Sequence, residues 1–280
     1  DIELLFRERA AHAPDTPVIA ITGTNGKSTT TALIAHILKS SGRDTQMGGN
    51  IGRGVLDLDP LSPDRTYVIE MSSFQIDLTP TLTPTVGVLL NMSPDHLDRH
   101  GTMENYAAVK ERMVFRADHA VIGDDDAWCR EVIANARALD RRVTTISAMT
   151  DEDVTFRGGH LYARGSASPV ADLTGAGTLR GDHNGQNAAA AFATLALLGL
   201  SHAGIARHMR TYPGLPHRME EVGRLGKVLF INDSKATNAD STEKALASFD
   251  RDIYWILGGK AKDGGIAALS PYFPRIAKAY

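Results

Sequence analysis

One cysteine, no long apolar run and no excess of either charge narrow what this chain of 280 residues can be. A single thiol, Cys129, excludes an internal disulfide and fits a reducing compartment, so the expected location is the cytoplasm. Cys129 stands between Trp128 and Arg130 with no catalytic pattern around it and reads as a structural thiol. The longest nearly apolar stretch, 188–200, has 13 residues and includes Thr194; it is too short for a bilayer and fits a buried helix. With 30 Lys and Arg against 33 Asp and Glu, the formal net charge is −3, and nothing points to nucleic acid or an anionic membrane as partner. No signal-peptide pattern opens the chain. It starts in an amphipathic helical pattern and stops inside another at 276–280, as an excised piece of a longer protein would.

What is present is an alternation of elements. Apolar strand-like runs at 18–21, 67–69, 86–90, 120–122 and 143–146 alternate with helical patterns at 29–40, 102–114, 126–139 and 186–198. That order predicts an α/β fold with a mainly parallel sheet. Between 153 and 179 short alternating pieces separated by glycine predict a small antiparallel patch. The turn cluster Pro213-Gly-Leu-Pro216 marks a domain boundary, giving domains at 1–212 and 213–280. The second unit predicts a strand at 228–232, a helix at 239–249 started by Asp240 and Glu243, and a strand at 253–257.

The most informative segment is V-I-A-I-T-G-T-N-G-K-S-T-T-T at 18–31. A buried strand runs into a loop with Gly23, Thr24, Asn25 and Gly26, and Lys27, Ser28 and Thr29 open a helix. Glycines let backbone N–H groups approach phosphates, a helix N-terminus favours the anion, and a Lys reaches the terminal phosphates. A Ser hydroxyl at position 28 suits Mg²⁺. The loop is shorter than the strict G-x-x-x-x-G-K-[ST] pattern, whose first Gly would fall at Ile21.

Other polar clusters fall at strand ends, where open α/β sheets bind ligands. Glu70 closes the strand at 67–69 and reads either as a Mg²⁺ ligand beside the phosphate loop or as a salt-bridged carboxylate. The cluster Asn91-Met-Ser-Pro-Asp-His96-Leu-Asp-Arg-His100 offers His96 as a nitrogen donor near that metal. Lys110, on the helix at 102–114, reads from spacing as a solvated Lys with its stem along the helix surface. Asn184 and Asn187 share one helix face and read either as contacts to a nucleobase edge or as helix caps. In the second unit, Asn232-Asp-Ser-Lys-Ala-Thr-Asn238 and Gly258-Gly-Lys-Ala-Lys262 each follow a strand and form a plausible anion or nucleotide site.

Taken in order, T-G-T-N-G-K-S-T, G-G-N-I-G (48–52), E-M-S-S-F-Q, D-H-L-D-R-H, G-D-H-N-x-x-N, G-L-P-H-R, N-D-S-K-A-T-N and L-G-G resemble the Mur ligase family of ATP-dependent amide-forming ligases of peptidoglycan precursor synthesis. G-L-P-H-R-M-E and D-S-K-A-T-N are similar to the branch that adds D-glutamate. The resemblance implies a central ATP-binding ligase domain at 1–212 with an N-terminal linker helix. It also implies a partial Rossmann-like domain at 213–280, and a UDP-binding domain that this chain lacks. It implies that UDP-N-acetylmuramoyl-L-alanine is phosphorylated by ATP to an acyl phosphate, which the amine of D-glutamate attacks. Catalytic roles then fall to Lys27, His96, Lys110 and Lys235. ATP would be held by 23–29, Asn184, Asn187, Arg218 and Asp233, and two Mg²⁺ ions by Ser28, Glu70, His96 and Lys110. Lys110 would be carbamylated, a role its spacing does not foretell. Asn50, His96, Thr237 and Lys262 would meet the other substrates, the choice between Lys260 and Lys262 for D-glutamate staying open. Two rival readings are a P-loop nucleotide-binding module without ligase chemistry and a sister ligase that adds another amino acid.

Overall fold

The computed structural model describes residues 1–259 and 265–280. Its centre is a nine-stranded sheet. The strands are β1 (Val18–Thr22), β2 (Thr45–Gly49), β3 (Thr66–Glu70), β4 (Val86–Leu89), β5 (His119–Gly123), β6 (Val143–Ser147), β7 (Val154–Arg157), β8 (His160–Ala163) and β9 (Ala171–Asp172). Their order is β2-β3-β1-β4-β5-β6-β7-β8-β9. Pairing is parallel from β2 through β7 and antiparallel across β7–β8–β9. The predicted antiparallel patch therefore exists, but it continues the main sheet, because Ile146 of β6 pairs in parallel with Val154 of β7. Gly158 and Gly159, at φ of 56° and 83°, make the two-residue turn that returns the chain into β8.

Helices cover both faces. They are α1 (Ile2–His12), α2 (Lys27–Ser40), α3 (Ser73–Asp77), α4 (Leu97–His100), α5 (Met103–Phe115), α6 (Ala127–Ala138), α7 (Asp182–Leu197) and α8 (His202–Met209). β1 shows how the sequence builds two cores: every residue is buried, and alternate side chains go to opposite sides. Ile19 and Ile21 join Leu33, Ile34 and Ile37 of α2 and Phe192 and Leu195 of α7. Val18 and Ala20 join Phe6 of α1, Met113 and Val114 of α5 and Cys129 of α6. Cys129 is a fully buried thiol, as expected.

After Pro216 the chain leaves this sheet. β10 (Glu220–Leu225), which its mostly polar sequence conceals, forms an antiparallel hairpin with β11 (Val228–Asn232). Then come α9 (Ala239–Ala247), β12 (Ile253–Trp255) and β13 (Ile276–Ala279), the last two paired in parallel. Two expectations are corrected here. Asn238 caps α9, accepting from the Ser241 N–H at 2.8 Å, in place of the Asp240–Glu243 start. The terminal segment is strand, not helix: Pro271 and Pro274 confine 267–275 to a 3₁₀ path, and β12 supplies the partners of β13. Among the described residues no helix is long and apolar enough to cross a membrane.

A buried cation fastens the first helix. Arg9 is 9% exposed and donates to the Thr16 carbonyl at 2.8 Å, the Thr83 carbonyl at 2.7 Å and Thr85 Oγ1 at 3.2 Å. It thus ties α1 to the entries of β1 and β4. Arg9→Met should leave two carbonyls without donors and lower stability by about 2–3 kcal/mol. The expected readout is a lower urea midpoint at unchanged slope.

Candidate active site

The site lies at the carboxyl end of β1, where the chain runs outward to β2 and β3 on one side and returns to β4 on the other. The loop 23–26 follows β1, and α2 starts at Lys27, where the motif opens its helix. Gly26 adopts φ 83°, and a Cβ there would stand 2.2 Å from Asn187 Oδ1, so only glycine fits. The first turn of α2 carries no acidic residue and no side-chain cap, which leaves its N–H dipoles open to an anion. Lys27 Nζ bends back to the Gly23 and Thr24 carbonyls, both at 2.9 Å. Burial pushes its pKa down, against the pull of Glu70 and Asp95. The Ser28 hydroxyl accepts from Arg218 Nη2 at 3.1 Å. Thr24 Oγ1 meets the Ser93 carbonyl and the Tyr106 hydroxyl, each at 3.1 Å.

Glu70 ends β3 in register with Ile21. It is 1% exposed; Oε1 accepts from Asn50 Nδ2 at 2.9 Å, while Oε2 is buried with no partner. An orphaned carboxylate oxygen beside a phosphate loop fits a divalent cation, which would satisfy it. Lys110 corrects the solvated reading, for it is 1% exposed. It stands on the buried face of α5 with Tyr106, Ala107, Met113 and Val114. Its Nζ donates to Thr22 Oγ1 at 2.9 Å and the Gly23 carbonyl at 3.2 Å, and lies 4.8 Å from the Tyr106 ring centroid. Burial, then the nearby Lys27 charge, push its pKa well down. A pKa lowered in this way fits carbamylation, which needs the uncharged amine. His96 is exposed at φ 54°, packs edge-on against Phe74 at 5.0 Å and has Asp95 at 3.5 Å. Among the described residues no group of three or more His, Cys, Asp and Glu gathers as a metal set.

A cavity of about 340 Å³ opens beside the loop. Asn25, Gly26 and Thr29 line one wall, Asn184 and Asn187 another, and Arg218, Asp233 and Ser241 of the C-terminal segment close it. Asn187 Nδ2 donates to Asn184 Oδ1 at 3.1 Å, and both lie inside α7, which begins four residues before the expected start. Burial raises the pKa of Asp233, opposed by the Met219 N–H at 2.9 Å and the Arg218 charge. Lys235 and Thr237 are exposed and stand outside the cavity lining, as does Asn50. Lys260 and Lys262 lie outside the described residues. No spacing pattern singles out His183, Asp125, Gln186 or Ser241, all of which line the cavity.

The loop after β1, the buried Lys110 and a cavity lined from both sides of Pro216 form one site, and comparison identifies the family that carries it. The Mur ligase middle domain matches residues 21–195, and the chain belongs to the Mur ligase family. The chain is similar, at 62% identity over 284 residues, to the UDP-N-acetylmuramoylalanine--D-glutamate ligase of Chelativorans sp. (strain BNC1), a match covering 100% of this chain and 61% of that one. The protein of the same name from Agrobacterium fabrum is 57% identical over 289 residues, covering 100% and 60%. The chain thus spans about three-fifths of the length of these relatives. Among solved structures, the MurF ligase of Thermotoga maritima in complex with ADP shares the fold, with a TM-score of 0.70 at 18% identity, covering 96% of this chain and 65% of that one.

His183 gives the cavity a pH signature. Burial, with the Lys244 charge, pushes its pKa down to about 4. The unfolded chain protonates this imidazole near 6.5, so the native state binds fewer protons between the two values. Its contribution is complete above about pH 6.5 and is lost as pH falls toward 4. His183→Gln should flatten the stability profile over that window by about 2–3 kcal/mol, read from unfolding midpoints at pH 4, 5, 6 and 7.

Proposed function

We propose that the parent protein is an ATP-dependent ligase that joins D-glutamate to UDP-N-acetylmuramoyl-L-alanine in peptidoglycan precursor synthesis. The observation that carries the ligase reading is the shared cavity: Arg218, from beyond the main sheet, reaches the Ser28 hydroxyl at the phosphate loop. A simple P-loop module needs no such second unit. We read 1–212 as the central ligase domain and 213–280 as part of a Rossmann-like domain, supported by the separate pairing of β10–β11 and β12–β13. The D-glutamate branch is supported by D-S-K-A-T-N at 233–238 and by the names of the similar relatives. The ADP of the similar MurF structure supports ATP as the nucleotide. The reading places the enzyme in the cytoplasm, with small molecules as partners and neither nucleic acid nor membrane.

In this reading a carboxylate oxygen of UDP-N-acetylmuramoyl-L-alanine attacks the γ-phosphorus of ATP, and ADP leaves. The D-glutamate amine attacks the acyl carbon and phosphate departs, the amine proton passing to solvent. Lys27, the N–H groups of 23–29 and Arg218 balance the phosphate charge. Asn184 and Asn187 face adenine and Asp233 the ribose. Asn50 and His96 approach the UDP-linked substrate, and Lys235, Thr237 and Lys262 the amino acid and nucleotide. Two Mg²⁺ ions, when bound, supply Lewis-acid neutralisation of the clustered oxygens. Ser28, Glu70, His96 and carbamylated Lys110 are the residues that would hold them.

Phosphate release by the full-length parent with UDP-N-acetylmuramoyl-L-alanine tests the reaction. D-glutamate should stimulate it above L-alanine, L-lysine and meso-diaminopimelate; preference for any of these moves the chain to a sister ligase. Lys27→Ala should lose more than about 100-fold in turnover with its fold intact. Lys110→Ala should lose activity and recover part of it with a small carboxylic acid, which occupies the vacated anion site. Lys110→Arg should show no such rescue, since it keeps the positive charge.

A further inference from the structure

A row of side chains crosses the cavity floor with no role in the reaction above. At its centre is Asn91, two residues beyond the end of β4. Its carboxamide holds the backbone of Asn25 on both sides of its Cα: Oδ1 accepts from the Asn25 N–H at 2.9 Å, and Nδ2 donates to the Asn25 carbonyl at 3.3 Å. Nδ2 also donates to Gln186 Oε1 at 2.9 Å, and Gln186 Nε2 donates to Asp125 Oδ2 at 2.7 Å. Asp125 in turn accepts from the Ser147 hydroxyl and from the Ala148 N–H at 3.1 Å. The row therefore runs from the phosphate loop across the ends of β4, α7, β5 and β6.

Its direction is fixed chemically. An ionised carboxylate only accepts, so Gln186 must turn its NH₂ to Asp125 and its oxygen to Asn91. Asn91 must then turn its NH₂ to Gln186, which leaves its oxygen for the Asn25 N–H. Each amide has one orientation that satisfies every partner. Gly123 makes room for the row: a Cβ there would stand 3.1 Å from Gln186 Nε2 and 2.1 Å from the Leu90 carbonyl.

We propose that Asn91 is a positioning residue that sets the Asn25 backbone of the phosphate loop, with Gln186 and Asp125 holding Asn91 in that role. The proposal rests on the reading that this loop binds the phosphates of ATP. A short loop with two glycines has many backbone states, and ordering it on binding opposes affinity. A residue clamped on both sides of its Cα holds the following N–H groups, those of Gly26, Lys27 and Ser28, in one arrangement before phosphate arrives. The main-chain tie is separate: the Thr24 N–H donates to the Asn91 carbonyl at 2.9 Å, and the Ser93 N–H to Thr24 Oγ1 at 3.0 Å. Loss of the side-chain row should therefore loosen the loop without unfolding the chain.

The test is calorimetric titration of this chain and its variants with ADP plus magnesium, with tripolyphosphate plus magnesium, and with adenosine. Gln186→Leu should weaken ADP and tripolyphosphate by about tenfold, the scale of one lost buried hydrogen bond, and adenosine by less than about twofold. Asn91→Ala should lose at least as much, and the double variant no more than Asn91→Ala alone, because Gln186 acts through Asn91. Asp125→Asn keeps shape and volume but removes the fixed polarity; it should weaken tripolyphosphate by about threefold and carries the test if Asn91→Ala fails to fold. Additive losses, an equal loss for adenosine, or wild-type tripolyphosphate affinity in folded Gln186→Leu and Asp125→Asn would each overturn the proposal. No binding of ADP or tripolyphosphate by the unsubstituted chain would overturn the nucleotide reading itself, and the proposal with it.

Discussion

Two buried ionisable side chains, Lys110 and Glu70, sit at the carboxyl end of β1, and no hydrogen bond or ion pair joins them. Among the described residues the hydrogen-bond partners of Lys110 are neutral oxygens, with an aromatic face beside it, and one Glu70 oxygen has no hydrogen-bond partner. A fold selected for stability alone would pair such groups or replace them with apolar ones, since uncompensated buried charge costs several kcal/mol. Their separation is intelligible where charged ligand atoms come between them. The depressed pKa of Lys110 and the orphaned oxygen of Glu70 are then two views of one constraint: the site is built for more charge than the protein itself supplies.

The packing around β1 follows from that constraint. A helix must come close enough to the loop for Asn187 to touch the Gly26 position, and the run Ala188–Ala191 on α7 permits it. Small side chains let α7 lie against α2 and the sheet, where Thr30 Oγ1 donates to Asn187 Oδ1 at 3.2 Å. Larger residues would hold α7 away and separate the carboxamides from the loop. The alanine-rich composition of α7 is therefore tied to the site as well as to the core, a link between packing and chemistry.

Strands β1, β3, β4, β5 and β6, the loop after β1 and helices α2, α5, α6 and α7 were legible because each is encoded within about a dozen neighbouring residues, whereas β2, T-Q-M-G-G, has two glycines and no apolar alternation to mark it. Lys110 was not legible from spacing: its helix has polar residues on several faces, and only the sheet beneath decides which face is buried. The resemblance of its motif foretold a functional Lys, but its burial comes from tertiary packing. β10 was missed because E-E-V-G-R-L alternates weakly and its partner, not its composition, makes it a strand. β13 was misread because I-A-K-A-Y fits a helix as well as a strand until the preceding prolines and β12 decide. The row from Asn91 to Asp125 joins side chains up to 95 positions apart, beyond any local pattern.

Among the described residues the C-terminal segment meets the phosphate loop through Arg218 at the Ser28 hydroxyl and through Ser241 Oγ at Asn25 Oδ1, 3.0 Å apart. Both are exchangeable contacts between small polar groups at the cavity wall. An arriving phosphate competes with a neutral hydroxyl for the Arg218 guanidinium and with two neutral carbonyls for the Lys27 ammonium. A charge-assisted bond to an anion is about twice as strong as a bond between neutral groups. In the proposed function the exchange favours the anion at both cations and frees the Ser28 hydroxyl for Mg²⁺. Because Arg218 lies beyond Pro216 and Lys27 opens α2, one phosphate ligand in the proposed function would satisfy cations from both segments. In that reading, nucleotide binding and the contact of the C-terminal segment with the loop are linked by the same two side chains.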